Sequence, residues 1–308
     1  MTALTTDPLA SESSPLKLAP RRHYAQVVGA VAVLLLAFLL IQSLALNKNM
    51  QWSTVWKYLW NGQVGQGIVT TLVLTVICMV MGTILATVLA VMRLSKNKVL
   101  STVSFAYIWF FRGTPLLVQL IFWYNLAALF PLLGIGIPLT NISASVSTNV
   151  VITAFVAAVL GFTLNEAAYM SEIVRAGIQS VNVGQREAAL STGMTEAQCM
   201  VRIVLPQAMR VIVPPTANQA INLLKATSLV AFISGGDLLS AVQDIYAVNF
   251  AVIPLLVVAS IWYLVVVSVA SVGQHYLERR VGKGFTHFSE DAVRDQIASI
   301  KAAQGGNE

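Results

Sequence analysis

Charge is what this sequence has least of. Of its 308 residues only 10% are Asp, Glu, Lys or Arg, against roughly a quarter in a soluble globular domain. With 56% hydrophobic residues and a mean hydropathy of +0.74, the chain has too little polar surface for a large water-facing domain and reads as an integral membrane protein. Histidine and cysteine are scarce too. His23, His275 and His287 are scattered near the ends of apolar runs and offer no metal set. Cys78 lies in an apolar run and Cys199 in a polar one, so no structural disulfide is expected. A phosphate loop of the form G-x-x-x-x-G-K-[ST] is missing, and GKGFTHF at 282 to 288 has its glycines in the wrong order. No nucleophile stands at a usable spacing from a base. These absences exclude a self-contained ATPase or hydrolase. The net charge of +6 would suit nucleic acid, but Lys and Arg sit at the ends of the apolar runs, where they set membrane orientation instead.

What is present is a series of long apolar runs, near 27 to 46, 67 to 92, 100 to 133, 150 to 171, 211 to 233 and 251 to 274. Six spans is the simplest count, giving an all-α membrane protein. The third run is too long for one straight crossing and is interrupted at Arg112, Gly113, Thr114 and Pro115, where Thr114 is placed to cap a helix beginning at Pro115. It is either kinked there or preceded by an interfacial segment. Arg21, Arg22, Arg93, Lys96, Lys98, Arg175, Arg186, Arg202, Arg210, Arg279, Arg280 and Lys283 fall on one side, and Lys48 and Lys57 on the other. The bias towards basic cytoplasmic loops puts both termini in the cytoplasm and the loops 134 to 149 and 234 to 250 outside. Residues 1 to 26 and 284 to 308 are expected to be cytoplasmic tails, both of them disordered. Arg21 and Arg22 ahead of the first run also fit a cleavable signal, whose removal would leave the other five spans as they are.

One segment breaks the apolar pattern: GQREAALSTGMTEAQCMVRIVLP, residues 184 to 206, a polar island carrying Arg186, Glu187, Glu196 and Arg202. Residues 185 to 192 favour helix, Gly193 supplies a break, Thr195 can cap a second segment, and Pro206 is expected to interrupt the path into the next span. The small or flexible residues Ala188, Ala189, Leu190 and Met194 suit a short surface helix that fits a groove on another protein.

The island resembles the EAA motif of the permease subunits of bacterial ABC importers. Glu187, Ala188 and Ala189, then Gly193, then Ile203, Leu205 and Pro206 stand at the motif's spacing without a gap. FFRGTPLLVQL at 110 to 120, AAYMSEIVRAGIQSV at 167 to 181 and LPQAMRVIVPPTANQ at 205 to 219 are similar to the polar amino acid branch, which imports histidine, glutamine, glutamate, arginine and opines. The resemblance implies a five-helix permease core over 67 to 280 preceded by one extra helix at 27 to 46. It implies a multi-pass protein of the bacterial inner membrane, surrounded by its lipid. The island would be a coupling helix docking, through Glu187, Ala188, Ala189 and Gly193, into a cytoplasmic ABC ATPase dimer that binds the ATP and Mg. The further implied partners are a second copy of the chain or a paralogous permease, and an extracytoplasmic solute-binding protein.

The solute's route is sought among buried charges, because a charge in hydrocarbon costs roughly 2.5 to 3.5 kcal/mol on insertion scales. Lys225 shares a helical face with Asn218 and Asn222; Gln219 borders it, Thr227 and Ser228 extend it, and Pro214 and Pro215 suggest a bend below. In the preceding span Asn165 and Glu166 add polarity, with Tyr169 and Glu172 further along. Three readings stand: Glu166 and Lys225 recognise the charged ends of an amino acid, or they form a structural pair, or Lys225 rests on backbone carbonyls. Ala226 departs from the LLKDTSL pattern of relatives. Glu172 and Arg175 read as structural or interfacial, and Arg112 as a lipid-headgroup contact or brace for the bundle end. A gradient-driven transporter would use Glu166 and Lys225 as a coupling pair, and a membrane anchor would have a dry interior. The gradient-driven reading gives no reason for the spacing from Glu187 to Pro206, and water access at Asn222 and Lys225 would separate the anchor from a permease.

Overall fold

The computed structural model describes residues 24–136 and 143–281. The expected terminal tails lie outside the described residues, except 24–26, which belong to the first helix instead. The chain forms two compact units, Met1–Met50 and Gln51–Glu308. In the first, helix α1 (Tyr24–Leu46) is apolar on every side, as a helix surrounded by lipid can be.

The second unit begins with a short amphipathic helix, α2 (Trp52–Leu59), and continues into α3 (Gly62–Leu94), whose 33 residues span about 50 Å. Asn61 starts α3 by accepting the Gln63 N–H at 2.8 Å. Val76, Val80, Ile84 and Val88 make one exposed stripe along it, facing where lipid would lie, while Leu74, Cys78, Ala86 and Leu89 are buried. A tight turn leads to α4 (Lys98–Gly113), and the chain then bends by 98° into α5 (Leu116–Tyr124). The interruption expected at Arg112 to Pro115 is this bend. Its details differ: α5 starts at Leu116, Pro115 is extended, and the Thr114 hydroxyl donates back to the Phe110 carbonyl at 2.9 Å instead of capping forwards.

Beyond α5 an antiparallel hairpin, β1 (Leu132–Gly136) with β2 (Ser143–Ser147), pairs Leu132 with Ser147 and Gly134 with Ser145. It was expected only as a loop, and adds a small sheet to an otherwise helical chain. The short α6 (Thr148–Val151) leads to α7 (Ala154–Gln179), the centre of the unit, which packs on α3, α4, α5 and α10. Small residues on α7 permit this. A Cβ on Gly177 would lie 2.3 Å from Ile212 Cγ1, so α7 and α10 meet there at a distance only glycine allows.

The island follows as α8 (Val183–Ser191) and α9 (Glu196–Cys199), then a π-turn over Met200–Val204 that runs directly into α10 (Leu205–Ala226). The interruption expected at Pro206 is therefore not there. A proline in the first turn of a helix gives up an N–H that has little to bond, so the path stays helical through it. Residues Thr227–Ile233 continue as a 3-10 turn, and α11 (Leu238–Asn249) and α12 (Val252–Val281) complete the unit. The segment 234 to 250, expected as an outer loop, is mostly α11. Asp237 makes it helical: buried, it accepts the Leu239 and Ser240 N–H groups at 3.0 and 3.1 Å, the Ser240 hydroxyl, and the Tyr263 hydroxyl at 3.3 Å. Among the described residues four helices are long and apolar enough to cross a membrane, and the bent pairs α4–α5 and α9–α11 raise this to six.

The two largest apolar cores of the bundle join different sets of helices. Leu74, Cys78, Leu120, Phe162 and Leu223 join α3, α5, α7 and α10, whereas Val55, Val64, Leu238, Val242 and Leu255 join α2, α3, α11 and α12.

Candidate functional site

The bend between α4 and α5 frees backbone carbonyls inside an apolar bundle, and two buried amides take them up. Gln119 Nε2 donates to the carbonyls of Phe111 and Thr114 at 3.0 and 3.1 Å and to Thr114 Oγ1 at 2.7 Å. From α7, Asn165 Nδ2 donates to the same Phe111 carbonyl at 2.9 Å and reaches Gln119 Oε1 at 3.4 Å. An unsatisfied carbonyl here would cost several kcal/mol by the estimate for hydrocarbon surroundings. Asn165 is thus committed to bracing the bend. Gln119 was not singled out from sequence, although a lone glutamine inside LLVQLIFWY was a signal that some backbone group needed it.

Beside this brace lies a cavity of about 390 Å³, whose lining includes Arg112, Thr114, Glu166, Tyr169, Gln219 and Asn222. Glu166 is 2% exposed. Its Oε2 accepts the Gln219 amide at 3.1 Å, while Oε1 is buried with no hydrogen-bond partner. Behind it, a Cβ on Gly82 would come within 3.0 Å of Glu166 Cγ, so α3 backs the carboxyl side chain. Arg112 stands with its Cζ 5.1 Å from the centre of the Tyr169 ring, a cation–π distance. Arg112, read from sequence as a brace or headgroup contact, therefore also borders this cavity.

Of the five pathway residues expected from sequence, Asn165, Glu166 and Asn222 line the cavity. Asn218 and Lys225 do not. They lie exposed with Asn222 on one face of α10, as their spacing implied. The Glu166–Lys225 pair is not formed; Gln219 holds the carboxyl instead. Glu172 pairs with Arg175 at 2.6 Å, in keeping with a structural role.

The island folds on itself. Asn182 caps α8 by accepting the Gly184 N–H at 2.8 Å, and Gly193, at φ +86, lets the chain reverse into a capping box of Thr195 with Gln198. Ala189, Cys199 and Val204 form a small buried core flanked by Leu190, Met194 and Ile203. Across the turn, Arg186 Nη2 donates to both Glu196 oxygens at 2.8 and 2.7 Å. That hydrogen bonding, and the charge of Glu196, hold the Arg186 guanidinium above its ordinary pKa. The motif residues divide accordingly: Ala189 and Ile203 serve the inner packing, while Glu187, Ala188, Gly193, Leu205 and Pro206 are exposed. A preformed knob with an exposed carboxylate and small residues is suited to enter a cleft.

Residues 82–283 match the family described as the binding-protein-dependent transport system inner membrane component. The chain belongs to this family. This inner membrane component is a permease subunit of an ABC importer. It is 40% identical over 309 aligned residues to the arginine transport system permease protein ArgU of Corynebacterium glutamicum, covering 99% of this chain and 95% of that protein. With the L-cystine transport system permease protein TcyB of Bacillus subtilis it shares 37% identity over 244 residues, 79% of this chain and 96% of that one. Among solved structures, one of an amino acid ABC transporter with histidines matches at 35% identity and a TM-score of 0.61, covering 72% of this permease and 95% of that chain. The inward-facing MetNI methionine transporter, at 18% identity and a TM-score of 0.51, shares the fold.

Proposed function

We propose that this permease carries a polar amino acid into the cell, with a basic one as the first candidate. The observation that carries this reading is the cavity in which the unpartnered Oε1 of Glu166 and the guanidinium of Arg112 line the same walls as the amides of Gln219 and Asn222. A carboxylate acceptor can take an ammonium, and a guanidinium can take a carboxylate. The names of the arginine and cystine permeases point to the same solute class. Lys225, Asn222 and Asn218 extend a polar face along α10 from that cavity, a route for the solute past the hydrocarbon.

In this proposal the island faces the cytoplasm, as the distribution of basic residues requires, and both termini lie on that side. Glu187, Ala188 and Gly193, with Leu205 and Pro206 exposed on the same segment, dock in a cytoplasmic ABC ATPase dimer that binds ATP and Mg, while Ala189 and Ile203 hold the island's shape from within. A second permease, either a copy or a paralogue, completes the pathway, and an extracytoplasmic binding protein delivers the solute. The test is reconstitution of this chain in vesicles with the ATPase and binding protein encoded beside it, followed by a screen of single amino acids for stimulation of ATP hydrolysis. Stimulation by a polar amino acid, lost in Glu187→Ala, is the expected result. Assembly without stimulation by any amino acid would remove the solute assignment, and failure of the wild-type chain to bind the ATPase would remove the coupling role.

A further inference from the structure

A second cleft, of about 560 Å³, opens between the end of α3, the outer face of α4 and the last turns of α7. Its walls carry three guanidinium groups, from Arg93, Arg112 and Arg175, and a single carboxylate, Glu172. That carboxylate is already engaged, since Arg175 holds it through Nη2 and Nε at 2.6 and 3.0 Å. Arg93 and Arg112 therefore face the cleft with no acidic partner among the described residues. Neither α3 nor α4 can supply one, because no Asp or Glu occurs between residues 13 and 165.

Both free guanidinium groups are held in place by neutral contacts. Arg93 Cζ lies 4.9 Å from the centre of the Phe105 ring, and its Nη1 donates to Ser101 Oγ at 3.0 Å. Arg112 rests on Tyr169. Ring contacts consume no N–H donors, so each guanidinium keeps donors for a ligand. Beside them α4 turns Phe105 and Trp109 outward, 51% and 68% exposed. Two of the three arginines lie near helix ends, as at a membrane boundary: Arg93 is in the last turn of α3, and Arg175, four residues before the end of α7, is about 6 Å from that end, whereas Arg112, against Tyr169, is about 15 Å from it.

We propose that this cleft binds the phosphate of an anionic phospholipid from the leaflet on the island side. Arg93 donates to the phosphodiester oxygens, Arg112 adds its charge from the seam with the solute cavity, and an acyl chain lies along Phe105 and Trp109. The two surplus positive charges call for an anion, and the adjoining exposed aromatic wall is what a soluble anion would leave uncovered. Arg112 and Tyr169 stand at the seam with the solute cavity, whereas Arg93 and Trp109 belong to the lipid cleft alone.

The test places the full chain in nanodiscs of phosphatidylcholine doped with phosphatidylglycerol and counts retained phosphatidylglycerol by native mass spectrometry after transfer to detergent. Wild type should retain it. Arg93→Gln should bind it about fivefold more weakly, the value of one basic group near a membrane surface. Arg202→Gln, at an exposed arginine outside the cleft, should match wild type. Should Arg93→Gln fail to insert, Trp109→Ala, at an exposed position, must show reduced retention. Excess inorganic phosphate should not displace the lipid; displacement would mean a site for a soluble anion and would overturn the proposal. Equal retention by wild type and by the cleft variants would overturn it as well. The readout involves neither solute nor ATPase, so it stands apart from the fate of the import reading.

Discussion

Replacing Gly177 by alanine should push α7 and α10 apart at the end of the bundle that carries the island. The new Cβ would lie 2.3 Å from Ile212 Cγ1, 3.0 Å from Ile212 Cδ1 and 3.3 Å from the Ala208 carbonyl. Carbon atoms in contact prefer about 3.5 to 4.0 Å, so the first contact is short by more than 1 Å. Ile212 is only 6% exposed and packs with Ala90, Val174 and Ala208, and the Ala208 carbonyl is backbone. Neither neighbour can yield without moving a helix. Overpacking of this kind costs roughly 1 to 3 kcal/mol. Ile212→Ala removes both offending carbons and by itself leaves a void, but combined with Gly177→Ala it gives the new methyl group room. The double variant should therefore be more stable than the sum of its parts, with a coupling of roughly 1 kcal/mol or more. Thermal unfolding of the detergent-solubilised protein measures this, and solute-stimulated ATP hydrolysis in vesicles should fall in Gly177→Ala and recover in the double variant. A single variant that melts with wild type, or strictly additive effects, would refute the close approach.

Two further substitutions probe the other local devices. Gly193→Ala places a side chain at φ +86, which should destabilise the island by about 1 kcal/mol, with Gly193→Asn milder; proteolysis of the island loop should rise from wild type through Gly193→Asn to Gly193→Ala, and equal rates in all three would remove the turn argument. Gln119→Leu keeps the volume but deprives the bend of the amide that bonds Phe111 and Thr114; a loss of about 1 to 3 kcal/mol is expected, and an unchanged melting temperature would show that the bend does not need it.

The spans and the island were legible because each is written in a contiguous stretch: apolar runs mark helices, and Gly193 and Thr195 mark the island's turn by local chemistry. The shared face of Asn218, Asn222 and Lys225 followed from helical period alone. What stood across from that face did not, because period fixes direction and not neighbours. Glu166 meets Gln219, 53 residues away, rather than Lys225. Helix α11 was missed although its local cap, Asp237 accepting from Leu239 and Ser240, stood in the sequence; what the sequence does not show is how its start is anchored. Its cap, Asp237, is neighboured by Tyr263 and its first N–H bonds Thr71, 167 residues away. The bend at Pro115 could be located from sequence, but the amides that satisfy it come from two different helices.

The unbroken helical path from Glu196 through the π-turn to Ala226 has a mechanical consequence. With the Gly177–Ile212 contact as fulcrum, Glu196 stands 16 residues, or about 24 Å, on one side, and Asn222 stands 10 residues, or about 15 Å, on the other. A tilt of about 10° would sweep the island by about 4 Å and the cavity wall by under about 3 Å, by the same helical rise. Such a rod gears down: a longer stroke at one end becomes a shorter, more forceful one at the other. Pro214 and Pro215 sit on the short arm, where two missing backbone N–H groups leave it more compliant, so a displacement of the island would reach the cavity wall through a spring rather than a rigid bar.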